Sequence, residues 1–243
     1  MLFQDSHSTG PSSLWSSCFA YEVHSQQKTF DLTNTRSVLS DFDITTGSQT
    51  AIAADSTGLT LSITQAADNL VLTSTAQYGP PLTLGATISG TSAPGIVPCV
   101  VIWDGRTGHD EIDLELLGGI TNYFMAPIWP SGKQPAYNSE VGVETNYAAP
   151  DWNYVYAPPS FDSSAENYYE MHWDGQEITW SIDDVQVVKY NRVTDAQWLN
   201  EQTNIRLGLW STGAGSDWAG TVDWASNPNP QAEIKWLTVS SGC

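Results

Sequence analysis

Polar and apolar residues alternate in short runs along most of this chain. Leu59, Leu61 and Ile63 interleave with Thr60, Ser62 and Thr64. Ile178, Trp180 and Ile182 interleave with Thr179, Ser181 and Asp183. Successive side chains of a strand point to opposite faces, so each run predicts a strand with one buried and one wet face. Asp174-Gly175 and Asp183-Asp184 punctuate the runs, and residues 168–189 read as consecutive hairpin strands. The 3.6-residue period of a helix is nearly absent, with Asp195–Leu199 the one short candidate. Ser, Thr, Asn, Gly and Pro fill the intervals. The pattern predicts an all-β protein, an antiparallel sandwich or barrel.

Length and charge narrow the picture. With 243 residues, one all-β domain is an ordinary size. No repeat, linker or charge block divides the chain. Residues 1–15 are polar and read as a loose arm, leaving 16–243 as a single domain. Asp and Glu number 27 against 8 Lys and Arg, a formal charge of −19. That balance excludes a nucleic-acid backbone or an anionic membrane as partner, since both need a basic face. Eleven Trp, ten Tyr and six Phe argue against disorder despite the charge. No apolar run is long enough for a membrane span. The start, Met1-Leu2-Phe3-Gln4-Asp5, lacks the basic and apolar parts of a signal peptide, so the protein is cytosolic or its signal is already removed.

Cys18, Cys99 and Cys243 are an odd set with no metal-ligand spacing. Cys99 lies in the apolar run Cys99-Val100-Val101-Ile102-Trp103 and is expected to be a buried thiol. Cys18 and Cys243 lie near the two ends, where a secreted domain could join them as a disulfide. His7, His24, His109 and His172 are scattered and form no zinc pair. A nucleophile elbow and a phosphate-binding glycine loop are also absent.

One segment carries chemistry. In Asp110-Glu111-Ile112-Asp113-Leu114-Glu115-Leu116, acidic residues at 111, 113 and 115 alternate with apolar ones. On a strand, the three carboxylates line one face while Ile112, Leu114 and Leu116 enter the core. Like charges held this close repel, so the fold gains no stability from them. Glycoside hydrolysis is the chemistry that wants two carboxylates, and a third acid between them can hold their pKa values apart. Residues i and i+4 on a flat strand lie about 13 Å apart at Cα, whereas a retaining pair needs carboxyls roughly 5–5.5 Å apart. The two long Glu side chains stand at the outer positions, where reach is needed.

These residues resemble glycoside hydrolase family 16, which carries Glu-x-Asp-x-Glu on a strand of a curved jelly-roll. Asn122-Tyr123-Phe124, Ile178-Thr179-Trp180 and Leu207-Gly208-Leu209-Trp210 resemble later segments of that family. Asp217-Trp218 is similar to a lichenase pair, and Gly220-Thr221-Val222-Asp223-Trp224-Ala225 to a fungal Crh-type pattern. The likeness covers residues ~75–240 well; residues 1–74 fit only as generic strands. His109 and His172 depart from the lichenase pattern. The resemblance implies an antiparallel β-jelly-roll sandwich, concanavalin A-like, whose concave sheet carries the cleft. It implies Glu111 as nucleophile, Asp113 as assisting acid and Glu115 as acid/base. It puts Trp103, Asn122, Trp210 and Trp218 on the substrate side. Trp173 and Trp180 read as core; Trp129 could be either.

The expectation is a secreted or cell-wall monomer acting on a polysaccharide. The reaction is retaining and endo-acting, hydrolysis or transglycosylation of a β-1,3- or mixed β-1,3/1,4-glucan. No cofactor or metal is expected, although a structural calcium on the convex face stays open. The alternative from another class is a lectin-like binding module on the same sandwich.

Overall fold

The computed structural model describes residues 26–103, 111–120, 123–126, 128–129, 137–140, 143–145, 153–156, 161–192, 199, 202–213 and 219–242. The arm at 1–15, Cys18, His109, Asn122, Asp195–Trp198, Trp218 and Cys243 lie outside the described residues.

Along the chain come β1 (Gln26–Thr29), α1 (Thr35–Asp41), β2 (Phe42–Thr46), β3 (Ile52–Asp55), β4 (Gly58–Ser62) and β5 (Asn69–Tyr78). There follow β6 (Leu82–Ser89), β7 (Ile96–Trp103), β8 (Glu111–Glu115), β9 (Tyr123–Met125), β10 (Ile128–Trp129) and β11 (Tyr137–Glu140). Then come β12 (Val143–Thr145), β13 (Asn153–Tyr156), β14 (Glu166–Trp173), β15 (Glu177–Ile182), β16 (Val185–Arg192), β17 (Thr203–Ser211) and β18 (Gln231–Ser241). They form two antiparallel sheets. One runs β11-β16-β15-β14-β6-β18-β4-β3, with β1 also on β18. The other runs β12-β13-β9-β8-β7-β17-β5-β2, with β10 also on β8.

The alternation read from sequence is the burial observed. Leu59, Leu61 and Ile63 are buried while Thr60 and Ser62 are only partly so. Ile178, Trp180 and Ile182 face inward from β15, and Tyr169, Met171 and Trp173 from β14. Across the sandwich stand Leu70, Leu72, Val100, Ile102, Ile205, Leu207 and Leu209 of the second sheet. Each such side chain contributes roughly 1.5–3 kcal/mol on burial, before the entropy of ordering it is subtracted. The β14–β15–β16 hairpins occupy the predicted span. Asp183 and Asp184 form the β15–β16 turn at φ 48° and 65°, the left-handed pair a two-residue hairpin favours.

The helix candidate at 195–199 falls outside the described residues save for Leu199, and the α-helix found among them is α1, which the sequence pattern did not announce. Asn34 caps it by accepting from the Arg36 backbone N–H at 2.8 Å. Only Val38 of its seven residues is buried, so no apolar period announces it. No described helix is long and apolar enough to cross a membrane.

Candidate active site

Strand β8 is held from both sides. Its Glu111 to Glu115 pair with Trp103 to Cys99 of β7. On the other side, Ile112 and Glu111 pair with Ile128 and Trp129, and Glu115 with Met125. Ile112 and Leu114 are driven into the core, at 0% and 1% exposure. That forces Glu111, Asp113 and Glu115 onto the outer face together, as the alternation predicts.

The neighbouring strands continue these rows. Asp113 lies level with Val101, Arg206 and Thr73. Glu115 lies level with Cys99, Gly208 and Val71. Glu111 lies level with Trp103 and Asn204. Trp210 lies level with Asn69 and Val97. The result is a groove lined by the three acids, Asn69, Val71, Cys99, Val101, Arg206 and Trp210.

The acids do not share one environment. Asp113 is almost wholly buried, 5% exposed, between two partly exposed glutamates. Burial first, and then the charge of Glu111, push the Glu115 carboxyl up from its ordinary 4.5 to about 7. Burial and the carboxylates of Glu115, Asp113 and Glu111 push the Cys99 thiol well up. Burial pulls the Arg206 guanidinium down, and Glu111 counters it first.

Glu115 gives a pH prediction. Its folded pKa lies above its unfolded one, so the neutral form favours folding. That contribution is complete below about pH 4.5 and is lost as pH rises through about 7. Thermal melts from pH 4 to 8 should show wild type losing stability relative to Glu115→Gln over this window. A constant difference between the two proteins would contradict the shift.

Cys99 corrects the sequence reading. It is half-buried on the groove floor, not in the core. The run around it is apolar because its alternate members, Val100 and Ile102, face inward while Cys99, Val101 and Trp103 face the acids. Gly208 makes room for it: a Cβ there would stand 2.5 Å from the Cys99 Sγ.

The expected substrate-side tryptophans differ in placement. Trp210 borders the groove and packs on a small cluster of Val97, Leu117 and Ala219. Trp103 stands beside Glu111, and the Arg206 guanidinium lies over its ring with Cζ 3.1 Å from the centroid. Asn122 and Trp218 lie outside the described residues. Trp173 and Trp180 are core, as expected. Arg206 was not singled out in the sequence. The signal was present: with Trp210 on the groove side of a strand, Gly208 and Arg206 must share its face. No group of three or more His, Cys, Asp or Glu side chains among the described residues is placed to hold a metal ion.

A two-sheet β-sandwich that carries paired carboxylates along one strand of an open groove has the side chains that glycoside cleavage uses. Residues 38–226 match the family model for glycosyl hydrolases family 16, and the chain belongs to that family. Among sequence relatives, Crh-like protein 4 of Botryotinia fuckeliana is 26% identical over 77% of this chain and 48% of its own length. Xyloglucan endotransglycosylase/hydrolase protein 8 of Oryza sativa subsp. japonica is 26% identical over 58% of this chain and 45% of its own. The chain thus spans about half the length of each. Among solved structures, the apo Crh5 transglycosylase superposes with a TM-score of 0.70 at 18% identity, covering 88% of this chain and 84% of that one. The Bacillus licheniformis beta-glucanase gives 0.67 at 19% identity, covering 89% and 97%. The fold is the jelly-roll sandwich that the acidic motif led us to expect.

Proposed function

We propose that the protein is a retaining, endo-acting hydrolase or transglycosylase of a β-1,3- or mixed β-1,3/1,4-glucan. The observation that carries this reading is the row of Glu111, Asp113 and Glu115 on one face of β8, lining an open groove in which burial pushes the Glu115 carboxyl up to about 7. In this reading Glu111 attacks the anomeric carbon and forms a covalent glycosyl-enzyme. Glu115 gives its proton to the departing oxygen, then takes one from water or from an acceptor sugar hydroxyl. Asp113, buried between them, is assigned as the assisting acid. Trp103, Asn122, Trp210 and Trp218 are assigned to the substrate side. A groove that runs across several strands accepts the middle of a chain, which suits endo action. The structural neighbours Crh5 transglycosylase and Bacillus licheniformis beta-glucanase support this choice of reaction and substrate class.

The chemistry needs no cofactor, since two carboxylates supply both proton transfer and attack. A polymeric substrate is met outside the cell, so the reading includes a secreted or cell-wall location and a monomeric enzyme. The test is proton NMR of fresh product from a panel of β-glucans, with chito-oligomers as acceptors and masses of all products. Retained β configuration is expected, and longer products would reveal transfer. Inverted product would overturn the mechanism. Binding of glucan without any product would point to the lectin-like alternative.

A further inference from the structure

Arg206 is one of only eight Lys and Arg residues in a chain of charge −19, yet it borders the groove that holds three carboxylates. We infer that Arg206, laid across the Trp103 ring, is the hydrogen-bond donor that the groove presents to a sugar unit beside the cleavage point. The inference deepens the glucan reading above and rests on it.

The argument begins with what the groove lacks. An ionised carboxylate only accepts hydrogen bonds, and the proton on Glu115 is committed to the departing oxygen, whereas each sugar hydroxyl both donates and accepts. Val71 and Val101 of the floor offer neither, and the Cys99 thiol donates weakly. Asn69 and Trp210 stand together, four positions along β17 from Arg206. Next to the acids, the strong donor is the guanidinium, with five N–H groups in one plane.

Its position fits a contact near the reacting bond. Arg206 is level with Asp113, two strands away through Val101, which is roughly 10 Å at a strand spacing of ~4.8 Å. The side chain does not run straight across Val101 but leans diagonally onto Trp103, the β7 neighbour of Glu111. Trp103 fixes the plane of the fork. With Cζ 3.1 Å from the ring centroid, the guanidinium occupies a face of the indole. That face is closed to a sugar, so Trp103 acts as the support and Arg206 as the contact. Arg206 Nε is shielded from solvent with no hydrogen-bond partner among the described residues, so the terminal N–H groups of the fork are the ones assigned to the sugar.

The competing role is charge balance alone. Glu111, Asp113 and Glu115 on β8 and Cys99 on β7 all face Arg206, while β5 brings the uncharged Thr73, Val71 and Asn69. Asp43 on β2 is exposed one strand further out. A pure counter-charge would serve as well as Lys. A planar donor resting on an indole would not.

The test titrates mixed-linkage and β-1,3-glucan hexaoses into Glu111→Gln protein by calorimetry, with Arg206→Met, Arg206→Lys or Arg206→Gln added. Kinetics of the single Arg206 variants run beside it, with melts to confirm folding. Arg206→Met should weaken binding by about 10- to 100-fold, the worth of a charged hydrogen bond, and raise KM more than it lowers kcat. Arg206→Lys should recover only part of this. Arg206→Gln keeps a planar donor and carries the test if the Met variant does not fold. Parental binding by folded Arg206→Met, or full recovery by Arg206→Lys, would overturn the inference and leave the glucan reading standing. Failure of the Glu111→Gln parent to bind either hexaose would remove the glucan reading, and the inference with it.

Discussion

Replacing Glu111 by Gln should remove nearly all turnover on a natural β-glucan while leaving the melting temperature equal or higher. The amide keeps the shape but cannot form the glycosyl-enzyme. Little packing is lost, because Glu111 is half-exposed on the outer face while its neighbour Ile112 fills the core. Removing one of three like charges also relieves repulsion on β8. Glu115→Gln should lose about 10²–10⁴-fold, the usual worth of a general acid. The two variants separate by rescue. Azide needs no help from a base, so it should restore turnover of an activated glycoside by a Glu115→Ala enzyme with retained configuration. Azide rescue of a Glu111 variant with retained configuration would exchange the two roles. Full activity in either Gln variant would remove the two-carboxylate mechanism.

Trp180→Ala should unfold the domain or bring it close to unfolding, whereas Trp210→Ala should not. Trp180 is 2% exposed in the middle of β15 and packs inward with Ile178 and Ile182. Emptying such a site costs ~3–5 kcal/mol, a large part of the ~5–15 kcal/mol by which domains are stable. Its indole N–H has no acceptor among the described residues, so Trp180→Phe should cost far less. Trp210 borders the groove and packs against a small satellite cluster outside the main core, so its truncation leaves no enclosed void there. Trp210→Ala is expected to keep most of the thermal stability and to weaken oligosaccharide binding. Melts and titrations on the same samples decide. Equal loss of stability in both Ala variants would assign Trp210 to the core.

The acidic strand was legible because three simple facts coincide there. Period-two alternation fixes which side chains share a face, the apolar partners fix which face is inside, and carboxylates have no structural reason to cluster. The same alternation foretold Trp173 and Trp180 as core residues. It misled at Cys99, because a run in which both faces are apolar does not say which members face in. Only the pairing of β7 with β8 settles that. Arg206 was hidden for a related reason. It lies far along the chain from the acids, and the register that places it level with Asp113 belongs to the sheet. Helix α1 was invisible because a cap at Asn34 and one buried valine suffice to hold it.

The order of strands also governs when a site of this kind can come into being. The acids on β8 need β17 beside β7 to complete their groove. The opposite sheet needs β18, which comes about 140 residues after β6, between β6 and β4. Ile234 of that strand pairs with Leu59 and Ile88, both from the early part of the chain. A chain still emerging from the ribosome therefore has β6 and β4 with an empty lane between them, two open edges, and no backing for the groove. Such non-local pairing makes folding slow and exposes unpaired strands meanwhile. The acidic character then has a second use. An excess of acidic over basic residues, 27 to 8 over the whole sequence, sets such copies to repel one another.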